Sequence, residues 1–325
     1  MNSVVAALRL DGGVNWKARG LEFLAEYGFI VFFAIWAIYL SIATVQFLTP
    51  DNLLIVLRQA SIFGIPAIGA TFVMIVGEID ISFGSLLGLS GAIGASLIVG
   101  GKNPLVGVLA AVVVGGIVGL INGLLVTVMR IPSVVATLGM LTAVLGAGLW
   151  YTHGQSYFGP QLEPIIYLAE GYAGFLPVPV IILFIAYGLA YLFLSRTVFG
   201  RWIYLVGDNQ EAAYRTGIPV RRIKIAVFVL SGVLTGIGGI ILVGRVGQGS
   251  ASLGTEALFP VLTAVILGGV SLNGGRGNLW NTLIASVFLA SIVNGLILIG
   301  ADPSVQQIAQ GGILIAALSL DRLRR

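Results

Sequence analysis

Apolar runs of close to 20 residues recur through this chain, and that repetition constrains the fold more than any motif in it. A helix needs roughly 20 mostly apolar residues to cross about 30 Å of hydrocarbon, and in lipid only helices or closed barrels satisfy every backbone polar group. Ten such runs can be read, at 28–47, 60–76, 85–99, 104–128, 133–149, 177–194, 226–243, 260–272, 280–299 and 307–320. The chain is 58% hydrophobic and 9% charged, a balance foreign to soluble domains. The expectation is therefore an all-α, polytopic transmembrane helical bundle of about ten spans. The runs at 85–99 and 260–272 are short for a full crossing, so a bent or re-entrant segment fits there if protein surrounds the break.

Charge sets the orientation, because Lys and Arg are retained in cytoplasmic loops. With both termini cytoplasmic, the inner segments hold 14 of the 17 basic residues, and the exceptions are Arg58, Lys102 and Arg245. The longest outer segment, 150–176, carries Glu163 and Glu170 and no Lys or Arg. The pI near 9.5 then reports topology, and nucleic acid is not an expected partner. Cysteine is absent and His153 stands alone, so neither disulfides nor a metal cluster is expected. Residues 1–27 read as a cytoplasmic N-terminal tail without signal-peptide anatomy. No linker divides the chain, so 1–325 reads as one transmembrane domain with a cytoplasmic loop at 195–225. The run pairs at 60–99 and 260–299 share an apolar–polar–apolar pattern that hints at internal duplication.

Within the inner loop, DNQEAAYRTG at 208–217 sets a short soluble helix between long apolar runs. Asp208 is placed to act as N-cap, with Glu211 three residues on as in a capping box. Ala212 and Ala213 favour helix and leave a low-relief surface, Gly217 can take the left-handed terminating conformation, and Pro219 discourages continuation. A helix of about two turns is marginal alone in water, so it must pack against something. A connector lying flat on the bilayer has the same pattern.

Glu211, Ala212, Ala213 and Gly217 match the EAA-x-x-x-G pattern of ATP-binding-cassette importer permeases, and FGRWIYLVGDNQEAAYRTGIPVRRIK resembles that loop in the ribose/xylose/arabinose permease group. Further along, GEIDISFGSLLGLSGAIGA at 77–95, IPSVVATLG at 131–139 and GGVSLNGGRGN at 268–278 are similar to that group's elements in order. The chain thus resembles the branched-chain amino acid/ribose permease superfamily over most of residues 60–320. Glu78 stands where Gly is common, Ile81 replaces Leu, and Asn273 and Arg276 vary the later loop. The resemblance implies a bacterial inner-membrane permease subunit importing a monosaccharide, a pentose or related small polyol. It further implies that the 208–217 helix docks in a groove of an ABC ATPase subunit, which holds the ATP and Mg. A periplasmic or extracellular sugar-binding protein would deliver cargo, and a second permease subunit, copy or relative, would complete the path.

Chemistry of the chain's own is not expected. None of Lys17, Lys102 and Lys224 closes a P-loop, and His153 has no nucleophile elbow near it, so no catalytic, cofactor or metal residue is assigned. Candidates for the path or gate are Glu78, Asp80, Ser82, Asn122 and Asn294. Glu78 and Asp80, at i and i+2, would point to different sides of a helix, and Asp80 with Ser82 could cap the span beginning near Ser85. They also raise the rival reading of an ion-coupled secondary transporter working without an ATPase. A membrane scaffold without transport is a third. The 46 glycines, concentrated in the spans, suit close helix packing. Asn122 and Asn294 suit interhelical hydrogen bonds or a passing hydroxyl. The aromatic outer stretch 150–176 fits a membrane interface, and with Gln248, Ser250, Ser252 and Glu256 it is a candidate landing surface.

Overall fold

A computed structural model describes residues 31–323, so the expectation for the tail at 1–27 lies outside the described residues. The first helices are α1 (Val31–Ala43), α2 (Pro50–Ile75), α3 (Phe83–Val99), α4 (Pro104–Thr127) and α5 (Ser133–Thr152). A connecting region carries β1 (Tyr157–Phe158), α6 (Glu163–Glu170), β2 (Tyr172–Ala173) and β3 (Leu176–Pro177), before α7 (Val178–Arg196). Two shorter helices, α8 (Val198–Asp208) and α9 (Gln210–Arg215), lead into α10 (Val220–Val246). Then come β4 (Gln248–Gly249), α11 (Leu258–Leu267), α12 (Leu279–Leu298) and α13 (Pro303–Leu323). The four strands are two residues each, paired β1–β4 and β2–β3 antiparallel, so the all-α class holds.

Helix starts are written in the sequence. Pro50 and Pro104 open α2 and α4, where a missing N–H costs nothing, and the preceding Thr49 and Asn103 accept from the backbone N–H groups of Asn52 and Leu105. Asn278 does the same for Trp280 at the start of α12.

The expected ten spans are not found among the described residues. Among the described residues six helices are long and apolar enough to cross a membrane: α2, α4, α5, α7, α10 and α12. Three other apolar runs form helices of 10–17 residues, at Val31–Ala43, Phe83–Val99 and Thr255–Leu267. At 1.5 Å per residue Phe83–Val99 and Thr255–Leu267 reach only about 20–25 Å, while Val31–Ala43 starts at the first described residue. α13 is long enough, but its first half carries Gln306, Gln307 and Gln310 and it does not qualify. The physical reason is that apolarity reports burial in protein as well as in lipid. Most of α3 is buried inside the bundle, Phe83 through Ala92 without interruption.

Burial separates the central helices from the peripheral ones. α2 and α12 have 67% and 72% of their apolar window buried, whereas α4, α5 and α7 have 28% each. α4 and α10 touch through glycine: a Cβ on Gly115 would stand 2.1 Å from the Gly232 carbonyl oxygen, and one on Gly232 2.0 Å from that of Gly115. Backbone contact of this kind needs residues without side chains, as the glycine-rich spans led one to expect.

Candidate coupling and translocation site

The loop after α7 begins with Thr197, whose side chain caps α8 by accepting from the Gly200 N–H at 3.0 Å. α8 runs through Asp208, so the expected N-cap is the last residue of one helix instead of the first of the next. The chain breaks at Asn209 (φ −152°, ψ 99°), whose Oδ1 accepts from the Ala212 N–H at 2.9 Å. Asp and Asn cap equally well, and the two stand side by side. Glu211 does not reach back to complete a capping box; its carboxylate accepts from Arg215 Nε at 3.0 Å. Those side chains are 70% and 76% exposed, so the pair adds little stability.

Termination follows the expectation. Gly217 has φ +83°, its N–H bonds the Tyr214 carbonyl, and the Ile218 N–H bonds that of Ala213. This is the paired hydrogen-bond pattern of a left-handed helix end, and it joins buried Ala213 to buried Ile218. Ala213 and Ile218 thus anchor α9 while Glu211, Ala212, Tyr214 and Arg215 face outward.

Two glycine contacts fasten this loop to the bundle. A Cβ on Gly207 would stand 1.8 Å from the Ile75 carbonyl oxygen and 2.6 Å from the Gly275 nitrogen. Gly275 N–H in turn donates to that Ile75 carbonyl at 2.8 Å. Tyr204 donates from its hydroxyl to the Gly277 carbonyl at 3.0 Å, and burial raises its phenol above the usual range, keeping the donor proton on. The end of α2, the end of α8 and the 273–277 loop therefore meet as backbone.

The α2–α3 break holds most of the polar candidates. Gly77 turns the chain with φ +84°, and the Glu78 N–H closes α2 on the Val73 carbonyl. Ile79 N–H donates to Ser133 Oγ at 3.1 Å, and Thr137 Oγ1 donates to the Ile79 carbonyl at 3.3 Å. Non-helical backbone inside a bundle needs such partners, and α5 supplies them from positions i and i+4. Asp80 Oδ1 accepts from the Ser82 N–H at 2.9 Å and from Ser82 Oγ at 2.6 Å, and Asn122 Nδ2 donates to Ser82 Oγ at 2.7 Å. Asp80 thus braces the turn entering α3, but neither it nor Ser82 makes the expected cap bond to α3. Glu78 points the other way and accepts from Lys224 Nζ at 2.5 Å; the same ammonium donates to Gln210 Oε1 at 2.8 Å.

Asp80, Ser82 and Asn122 are brought together, Glu78 stands beside them but faces Lys224, and Asn294 lies elsewhere. It exchanges two amide hydrogen bonds with Asn52, at 3.0 and 2.9 Å, near the opposite end of α2, a helix about 39 Å long. Lys224, Gln210, Ser133, Thr137 and Gly207 carried no role in the sequence reading. Ser133 and Thr137 do lie in the 131–139 element and share a helix face, a signal that could have found them.

A cavity of about 880 Å³ opens between the break, the α4–α5 turn and the loop that carries α9. Glu78, Thr127, Arg130, Ser133, Gln210, Tyr214 and Lys224 line it. At the far end of the bundle, Glu170 pairs with both Arg58 and Arg245, and the Arg58 guanidinium lies 4.9 Å from the Tyr172 ring centre. Two of the three basic residues that broke the charge pattern are thereby accounted for. The segment after α10 dips into the bundle there: Cβ atoms on Gly88 and Gly254 would meet the Ala251 and Gly84 carbonyl oxygens at 2.1 and 2.2 Å.

This is a polytopic helical membrane subunit with a polar break between α2 and α3, a cavity at one end and a short exposed helix beside it. The branched-chain amino acid transport system permease component family matches residues 52–318, and the chain belongs to that family. It is a multi-pass protein of the bacterial inner membrane, a transport subunit whose ATPase is carried by a partner. The ribose import permease protein of Bacillus subtilis (strain 168) is 37% identical over 286 residues, covering 88% of this chain and 89% of the relative. The L-arabinose ABC transporter permease protein of Azospirillum brasilense is 32% identical, covering 100% and 94%. The D-allose transport system permease protein of Escherichia coli (strain K12) is 32% identical, covering 93% of each. No solved structure matches the chain.

Proposed function

We propose that this chain is the membrane subunit of an ABC importer for a monosaccharide, with α9 as the helix that meets the ATPase. The observation that carries this reading is the exposed face of α9, from Glu211 to Arg215, standing beside a cavity that reaches the α2–α3 break. The sugars named for the relatives, ribose, L-arabinose and D-allose, direct the cargo toward a pentose or a closely related sugar. ATP and Mg²⁺ belong to the ATPase. This chain converts its closure into displacement: α9 moves beside the fixed backbone junction at Gly207, and the α2–α3 break responds. Two permease subunits surround one path, and a sugar-binding protein lands at the far end, where Trp150, Phe158 and Phe175 are 79%, 69% and 80% exposed.

An ion-coupled carrier using Glu78 is disfavoured because Lys224 already neutralises that carboxylate. Ala213→Arg and Gly217→Asp test the docking role. The first puts a charge on a buried anchor; the second puts a side chain at φ +83°. Both are expected to abolish sugar uptake in cells and co-purification of the ATPase encoded beside the permease, with membrane insertion unchanged. Undiminished uptake by both variants would overturn the reading.

A further inference from the structure

Lys224 sits at the start of α10 with its side chain 10% exposed, and it bridges two elements that the chain otherwise keeps apart. One is Glu78, 146 positions away and closing α2; the other is Gln210, the first residue of α9. Among the described residues this is the one side-chain hydrogen bond from α9 to the transmembrane helices, since Asn209, Glu211 and Arg215 bond within the loop. Gly207 and Tyr204 fasten α8, on the other side of the bend at Asn209. α9 turns away from α8 at Asn209, so its displacement reaches the bundle through the packing of buried Ala213 and through that one side-chain hydrogen bond, to the ammonium.

We propose that Lys224 is a relay that transmits displacement of α9 to the α2–α3 break, through Gln210 on one side and Glu78 on the other. It is a positioning residue, touching neither cargo nor nucleotide. The proposal rests on the docking of α9 against an ATPase argued above. Glu78 is rigidly tied to α2 by its own N–H, and the next residue, Ile79, is held by Ser133 and Thr137. A pull on the Glu78 carboxylate thus acts at the junction where α2 ends and the polar turn toward Asp80 and Ser82 begins. Coulomb attraction in a nearly buried pair is strong enough to hold this register, and fixing register is the best-attested use of such pairs.

The chain contains no cysteine, so one introduced thiol is an unambiguous reporter. Ile79→Cys places it in the break, and its alkylation rate by a small maleimide is read in nanodiscs holding permease and its neighbouring ATPase. Rates are compared without nucleotide and with the ATPase trapped by ATP and vanadate. The relay predicts a nucleotide-dependent rate in the Ile79→Cys parent, retention in Gln210→Glu, and its loss in Gln210→Ala and in Glu78→Gln/Lys224→Met, with the ATPase still co-purifying. Gln210 is exposed, and the double variant leaves no lone buried charge, so both should fold. A parent whose break ignores nucleotide, or variants that keep the response, would overturn the relay. If Gly217→Asp retains the ATPase as tightly as the parent, the docking reading itself fails and the relay falls with it.

Discussion

Replacing Gly207 by Ala adds one methyl group where the chain has no room for it. Ideal placement puts that carbon 1.8 Å from the Ile75 carbonyl oxygen and 2.6 Å from the Gly275 nitrogen, both backbone atoms that cannot rotate aside. Overpacking of this kind costs about 1–3 kcal/mol, and losing the Gly275–Ile75 hydrogen bond adds about 1 kcal/mol. Alanine's better helix propensity returns about 1 kcal/mol within α8. The net, about 1–3 kcal/mol, shifts the seated-to-unseated ratio of the loop by roughly 5- to 150-fold. Gly188→Ala in α7 is the control, because nothing lies within 4 Å of its added carbon and the propensity gain acts alone. Thermal unfolding in detergent and limited proteolysis of the 195–225 loop read the difference. Gly207→Ala should melt earlier and be cut faster, with ATP-driven uptake reduced; Gly188→Ala should do neither. If both variants behave like the parent, the close backbone junction is not what seats the coupling loop.

Three further outcomes follow from the same contacts. Asn294→Leu leaves the Asn52 Oδ1 without its donor, while Nδ2 keeps the Phe47 carbonyl, and should cost about 1–3 kcal/mol, whereas Asn52→Leu/Asn294→Leu should cost less than the two singles summed, a non-additivity that melting curves of the four proteins would show. Glu170→Gln removes the carboxylate shared by Arg58 and Arg245; with Arg58 10% and Glu170 30% exposed, the loss should approach about 3 kcal/mol, seen as a lower melting temperature that Arg58→Met partly restores. Ser133→Ala and Thr137→Ala each release one backbone group of Ile79, at about 1 kcal/mol per hydrogen bond, and should raise maleimide labelling of an Ile79→Cys reporter even without nucleotide.

The membrane class and the short helix in the inner loop were legible in the sequence because hydropathy, Gly217 and the Ala pair act locally. Span number was not. Phe83–Val99 and Thr255–Leu267 are apolar because protein surrounds them, and a hydropathy window sees the same composition in either solvent. The cap was missed by one residue, since Asp208 and Asn209 are equivalent until α8 fixes where helical geometry stops. Lys224 read as one more charge retained inside; only the fold brings Glu78 to it. Asn122 and Asn294 looked alike, yet one joins Ser82 at the break and the other pairs with Asn52 at the far end of α2.

The central claim is that an external ATPase drives this conduit. Proteoliposomes containing the permease and its neighbouring ATPase, with the secreted binding protein outside and radiolabelled ribose, arabinose or allose as cargo, test it directly. Uptake is expected only when ATP reaches the ATPase, and imposed proton or sodium gradients are expected to add nothing. Accumulation driven by such a gradient in vesicles containing this chain alone would contradict the account.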